Sequence, residues 1–206
     1  NCVAHNGSIV PVPGRDIFVQ AWYQGGISVI DFTDSFNPFE IAYFDRGPIL
    51  EDELITGGFW SAYYYQGTIY GTEITRGLDV LKLIPSKYLS ENEIAAAAMA
   101  YPVIGPRRLF NPQHQVPMTW PAAPEVARAY IDQLMRDDAI SEDSAERIGD
   151  MLDQVTLAME NGGDNRLARQ INSYRLSAKG SNISLTQHRL EKLDATLKGI
   201  AAGLRG

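Results

Sequence analysis

The sequence has one cysteine, Cys2, and three histidines in 206 residues. A single cysteine cannot form a disulfide within the chain, so no internal disulfide framework holds this fold together. The thiol of Cys2 is either paired with a cysteine outside the printed residues or unpaired, and we favour an unpaired thiol. Chemistry that needs several cysteine or histidine side chains therefore has few candidates.

Long apolar runs and an excess of positive charge are also missing. The longest apolar stretch, residues 94–100, is mostly alanine and far shorter than the roughly 18 residues of a membrane-spanning helix. The chain has 18 basic and 25 acidic residues, a formal net charge of -7. Nucleic acids and anionic lipids are bound mainly through lysine and arginine, so we expect no nucleic-acid partner and no membrane span.

Residues 1–84 have the pattern of short antiparallel strands. Apolar and polar residues alternate in short runs, and glycine or proline residues separate the runs. Glycine adopts positive φ at little steric cost, so Gln24-Gly25-Gly26 predicts a hairpin turn. The predicted strands around the first two turns are residues 17–23, 27–32 and 39–44.

The strand segment repeats itself. Residues 8–14 align with 61–67, 17–18 with 69–70, and 26–32 with 77–83, at offsets of 51 to 53 residues. Repeats of about 40–50 residues are typical of β-propeller blades, which are four-stranded antiparallel sheets. A blade cannot bury both faces alone, so the pattern predicts two blades of a larger propeller. Their neighbours would come from residues before Asn1 or from partner subunits; an unrelated small β-sandwich is the alternative.

Alternation within the repeat also predicts which side chains are buried. Ser28 and Asp79 are polar, and the apolar residues beside them point to the opposite face of each strand. We expect five side chains to be buried between sheets: Ile27, Val29, Ile41, Leu78 and Val80.

The first copy of the repeat resembles the LVIVD repeat of secreted bacterial β-propellers. The resemblance rests on residues 26–34, the Asn37-Pro38 turn and residues 41–44. The second copy departs from the family pattern, because Lys82 stands where the family has aspartate. The resemblance implies a propeller fold and a bacterial protein that is secreted, periplasmic or on the cell surface. The family has no settled activity, so no mechanism follows from it.

The pattern changes after residue 84. Ser90 and Glu93 have the spacing of a capping box, which predicts the start of a short helix. Six prolines between residues 102 and 124 predict an extended strap. From residue 125 onward, apolar residues recur with a helical period in four segments, which predicts an antiparallel helical bundle. The predicted divisions are thus two blades at 1–84, the helix and strap at 85–124, and the bundle at 125–206.

Candidate metal ligands are few. Cys2 and His5 lie three residues apart, before a strand that would face the axial channel of a propeller. Such soft ligands suit copper or zinc, although a histidine hydrogen-bonded to a neighbouring loop is the simpler interpretation. Neither His114 nor His188 has a partner in the sequence. The acidic residues Asp45, Glu51, Asp52 and Glu53 could hold Ca²⁺, but they lack the spacing of a calcium loop and favour a solvated loop.

No pattern identifies a catalytic residue. The sequence has no glycine-rich phosphate motif and no nucleophile elbow. The aromatic run at residues 59–65 could stack on sugars, but core packing is the favoured interpretation. We therefore predict an extracellular, non-catalytic scaffold or binding module for protein or glycan contact, with unknown ligand-binding residues. The alternative is a metal-binding or enzymatic propeller with a site in its axial channel.

Overall fold

The computed structural model describes residues 2–105, 109, 111, 116–176, 179 and 183–205. The chain forms two compact units, residues 1–119 and residues 120–206. The segment at 85–124, expected to connect two domains, is divided between these units. All β-strands in the described ranges belong to the first unit.

The first sheet of this unit has four antiparallel strands in the order β1-β2-β3-β4. Its strands are β1 (Gly7–Val10), β2 (Ile17–Ala21), β3 (Ile27–Asp31) and β4 (Phe39–Phe44). The alternation read from the sequence holds in β2 and β3, where every second side chain is buried. In this strand order, β3 has a neighbouring strand on each side, β2 on one and β4 on the other.

The second sheet has three antiparallel strands in the order β5-β6-β7. These are β5 (Phe59–Tyr65), β6 (Thr68–Glu73) and β7 (Gly77–Leu81). Gln66 and Gly67 connect β5 to β6, and both have positive φ, 44° and 83°. A two-residue turn with positive φ at both positions matches the twist of a hairpin, and glycine is favoured in it.

The two sheets share one hydrophobic core. Ile17, Val19 and Val29 of the first sheet are buried in the same cluster as Phe59 and Ile69 of the second. The two sheets lie close together at Gly71 of β6, where an added Cβ would lie 2.7 Å from Cδ1 of Ile27 in β3. The strands β1 and β5 are also joined side by side, since the Tyr64 amide donates to Ser8 Oγ at 2.8 Å.

The predicted β-propeller is wrong. The described residues form sheets of four, three and two strands, none of which closes into a ring or barrel, together with five helices. The protein is therefore a mixed α/β protein rather than a set of propeller blades with a helical tail. The prediction failed because hairpins with glycine turns and alternating strands are common to all antiparallel sheets. Such a local pattern does not determine how many sheets assemble or whether they close.

The rest of the first unit consists of helix α1 (Glu91–Ala98) and a small sheet of β8 (Tyr101–Pro102) and β9 (Met118–Thr119). The predicted capping box is confirmed: Ser90 Oγ accepts from the Glu93 amide, and the Glu93 carboxylate accepts from the Ser90 amide. Of the predicted strap, residues 106–108, 110 and 112–115 lie outside the described residues, and His114 is among them.

The second unit is helical. It comprises α2 (Pro124–Arg136), α3 (Glu142–Glu160), α4 (Asn165–Ser173) and α5 (Ile183–Gly203). Ser141 and Asp164 cap the starts of α3 and α4 with their side chains. α2 packs against α3 and α5, and α4 packs against the same two helices. Leucine and isoleucine residues fill the space between them, among them Leu134, Ile148, Leu152, Ile171, Leu193 and Ile200.

No helix in the described part of the chain is both long enough and apolar enough to cross a membrane. This agrees with the absence of a long apolar run from the sequence.

Candidate functional site

The second sheet has one face against the core and one face toward solvent. We call the outer side the open face; pairing places Tyr63, Tyr70 and Val80 in one row across it, and Ser61, Thr72 and Leu78 in the next, of which Ser61 on β5 is buried. Leu78 and Val80 are 59% and 60% exposed, whereas Ile27 and Val29 of the first sheet are 2% and 3% exposed. Apolar side chains in adjacent rows of a sheet form a contiguous patch, which is typical of interaction surfaces.

This arrangement corrects part of the burial prediction. Ile27, Val29 and Ile41 are buried as expected, but Leu78 and Val80 are exposed. Alternation correctly identified which residues share a face of each strand. It did not indicate which face the neighbouring sheet covers, and the first sheet covers only the face of the second sheet opposite to Leu78 and Val80.

Among the described residues, no strand lies next to the outer edge of β7. In the first sheet, β4 pairs with the corresponding edge of β3, with Ile27 opposite Phe44 and Asp31 opposite Phe39. β7 pairs with β6 alone, and within the described residues its backbone makes no further hydrogen bond. An unpaired edge offers a row of amide and carbonyl groups that can pair with another extended chain.

An inward-facing ion pair holds β7 from the core side. Asp79 is buried, and Arg46, in the loop after β4, donates to its Oδ1. The Oδ2 of Asp79 has no hydrogen-bond partner among the described residues. Because this carboxylate points inward, Leu78 and Val80 on either side of it point outward.

Positive side chains lie at both ends of β7. Arg76 precedes the strand and Lys82 follows it, and both are exposed. Arg76 also donates to the carbonyl of Pro48 at 2.9 Å, which holds its guanidinium beside the strand. A segment that pairs with β7 therefore meets positive charge at each end.

Glu73 organises the turn that leads into β7. Its buried carboxylate accepts from the amide of Gly58 at 2.5 Å and from the amide of Thr75 at 3.0 Å, and it also accepts from the amide of Arg76. Burial alone would raise the pKa of Glu73, but the Gly58 amide and the other donors around it hold the pKa below its ordinary value. The carboxylate thus stays ionised at neutral pH and fixes the β6–β7 hairpin.

A second buried charge cluster ties helix α1 to the first sheet. Arg15 donates to Asp31 from Nη2 at 2.5 Å, and from Nη1 to Glu93 at 2.9 Å and to the carbonyl of Tyr88 at 2.7 Å. Burial alone would raise the pKa of Asp31, but the hydroxyl of Thr33 and the charge of Arg15 lower it below its ordinary value. Every Arg15 nitrogen has a partner here, so the cluster is structural.

The structure gives His5 a local partner. Its Nδ1 lies 2.5 Å from the carbonyl oxygen of Trp60, and its ring is 4.1 Å from the Trp60 ring and 5.1 Å from the Tyr23 ring between centroids. Cys2 is exposed and lies beside Gly25, and His188 is exposed on α5. The metal site expected at Cys2 and His5 stays a prediction.

The acidic residues expected to form a solvated loop are exposed. Asp45, Glu51, Asp52 and Glu53 line a shallow depression that also includes Cys2. Across the described ranges, no three or more histidine, cysteine or acidic side chains are grouped closely enough to hold a metal ion. The suggested Ca²⁺ and transition-metal cofactors therefore stay predictions.

The aromatic run divides between the core and the surface. Phe59 and Tyr64 are buried in the core, whereas Trp60 and Tyr65 are exposed. Phe59 and Tyr64 are five residues apart, and both can face the core because the pairing of β5 with β6 shifts register between Phe59 and Ser61. The residues that sequence reasoning missed are Tyr70, Leu78 and Val80 of the open face and the flanking Arg76 and Lys82; only a knowledge of the covered face could have selected them.

No family model, no curated protein and no solved structure matches this chain. The resemblance to LVIVD-repeat proteins therefore stays a prediction. The same holds for the secreted, periplasmic or cell-surface location that the resemblance implies.

Proposed function

We propose that this chain is a non-catalytic protein-binding module that takes up an extended segment of a partner protein along β7. The proposal is carried by the unpaired edge of β7 next to the exposed apolar residues Leu78 and Val80. Addition of a strand to a sheet edge derives its affinity from main-chain hydrogen bonds and its specificity from alternate side chains. β7 offers both features.

The first sheet indicates the kind of segment that fits. There β4 occupies the corresponding edge as an antiparallel strand with aromatic residues at both ends, Phe39 and Phe44. A segment on β7 would place alternate apolar side chains beside Leu78 and Val80 on the open face. Acidic residues at its ends would complement Arg76 and Lys82, because opposite charges at the margins of an interface favour the correct register.

A second copy of this chain is the less favourable occupant. Antiparallel pairing of β7 with its own copy, with full overlap, would be centred on Asp79, the middle residue of Gly77–Leu81. The two Asp79 carboxylates would then lie directly opposite each other, and their repulsion, which the Arg46 partner of each reduces, disfavours this pairing. We therefore favour a segment of a different polypeptide as the occupant.

A peptide copy of β4 tests the proposal directly. The probe is a fluorescein-labelled peptide with the sequence of residues 37–45, and the readout is anisotropy on titration with the full chain. Saturable binding is expected, with at least about tenfold weaker binding to the double variant Leu78→Ser, Val80→Ser, because the bound strand loses its apolar neighbours on the open face. Leu54→Ser, which changes an exposed leucine in a loop, is the matched control and should bind like the unmodified chain.

A second peptide distinguishes main-chain pairing with β7 from non-specific adsorption to the apolar side chains. The same sequence with methyl groups on alternate backbone nitrogens keeps its side chains but loses main-chain donors, so its binding should be lost. Equal binding of the methylated peptide, or no saturable binding of the first one, overturns the proposal. A dimer of the unmodified chain that Leu78→Lys dissociates would also overturn it, since the occupant would then be a second copy.

A further inference from the structure

A cavity of about 300 Å³ lies within the first unit, away from the free edge of β7. Its walls come from the ends of β1 and β5, the end of α1 and the segments around β8 and β9. The side chains that line it are Ile9, Pro11, Tyr64, Tyr65, Gln66, Ala97, Ala100, Tyr101, Pro102, Ile104, Val116 and Met118. The volume is at the lower end of the range found for small-molecule sites.

Among the described residues, the lining is neutral and mostly apolar. None of these residues carries a charge, and Gln66 is the single amide among them. Two alanines, Ala97 and Ala100, leave space where α1 ends. A charged molecule would lose its hydration here without gaining a counter-charge, at a cost of several kcal/mol.

We propose that this cavity binds one neutral, largely apolar small molecule. The apolar walls provide the binding energy by removing apolar surface from water. This site is separate from strand binding at β7 and does not depend on it.

Nile red, an uncharged dye with a carbonyl acceptor, is the probe. Titration of the full chain should give saturable, one-to-one binding with a blue-shifted rise in fluorescence. Ala100→Leu fills the cavity and should weaken binding at least about tenfold, since overpacked sites resist an added occupant.

Controls distinguish the cavity from the open face. Tyr70→Phe removes a hydroxyl and Leu78→Ser removes apolar surface, both outside the cavity, and neither should change the titration. Circular dichroism confirms that each variant folds, and Ile104→Trp is a second way to fill the cavity if Ala100→Leu does not fold.

Three results would overturn the proposal. The first is an absence of saturable binding, and the second is binding that neither filling variant weakens. The third is binding lost with Leu78→Ser, which would place the dye on the open face. Tighter binding of an anionic dye such as anilinonaphthalene sulfonate would contradict the neutral character of the site.

Discussion

The two large sheets of the first unit are built from the same repeated pattern, yet they differ in what surrounds them. In the first sheet, β3 has strands on both sides, and its apolar residues Ile27 and Val29 are buried against the second sheet. In the second sheet, the described part of the chain places a strand on only one side of β7, and Leu78 and Val80 face solvent. Similar sequences thus end in different environments, because burial depends on the neighbour that covers a face.

The same contrast holds for buried charge. Asp31 in the first sheet is paired with Arg15, which is itself buried and shared with Glu93. Asp79 in the second sheet is paired with Arg46, whose side chain is 40% exposed. Solvent screens the second pair and not the first, so the cost of removing each arginine should differ.

The largest expected effect comes from the buried arginine. Arg15→Met should destabilise the protein by about 3–5 kcal/mol, because two carboxylates would stay buried without their cation. Arg46→Met should cost roughly 1 kcal/mol, since water can replace part of the exposed guanidinium. Urea denaturation of chains that also carry Trp120→Phe measures this, because Trp22 and Trp60 then report on the first unit alone.

The order of the two costs is the critical result. If Arg46→Met were as destabilising as Arg15→Met, the second sheet would be as enclosed as the first, and the contrast between them would fail. The Trp120→Phe chain without either change is the reference for both.

Matched truncations at repeat positions test the apolar side of the comparison. Ile27→Ala should cost about 2–5 kcal/mol, from lost burial and the cavity left between the sheets. Leu78→Ala should change the free energy of unfolding by no more than about 0.5 kcal/mol, because that side chain is already exposed. The same denaturation assay applies, and equal losses at both positions would show that a covering surface hides Leu78 in solution.

Sequence reasoning identified the local structure well. The hairpin turn at Gln24-Gly25-Gly26, the alternation in β2 and β3 and the capping box at Ser90 all follow from short-range chemistry. The helical period after residue 124 reflects the same kind of rule. These features need only residues that are close in sequence.

Features set by distant residues were not predictable. Arg15 meets Glu93 across 78 positions, and Arg46 meets Asp79 across 33, and no spacing rule connects them. The propeller prediction failed for the same reason, since closure of a ring depends on contacts among sheets rather than on the pattern within one. The open face was likewise not predictable, because alternation places Leu78 and Val80 on one face without indicating that this face is exposed.

The smallest expected effect concerns pH, and each sheet contributes one carboxylate. The pKa values of Asp31 and Glu73 are held below their ordinary values of 3.8 and 4.5 in the folded protein. The unfolded chain therefore binds protons more readily than the folded one as the pH falls through this range. The stabilisation from both carboxylates is complete above about pH 5 and is lost as the pH falls from the ordinary values toward the lowered ones.

Asp31→Asn and Glu73→Gln separate the two contributions. Each variant should be less stable at pH 7 and should lose less stability between pH 5 and pH 3 than the unmodified chain does. For Glu73→Gln the reason is geometric: Oε1 accepts from Gly58 and Oε2 from Thr75 and Arg76, and an amide can accept with only one of these atoms. Urea midpoints measured across this pH range give the comparison, and stability that rises on acidification would contradict the direction assigned to both carboxylates.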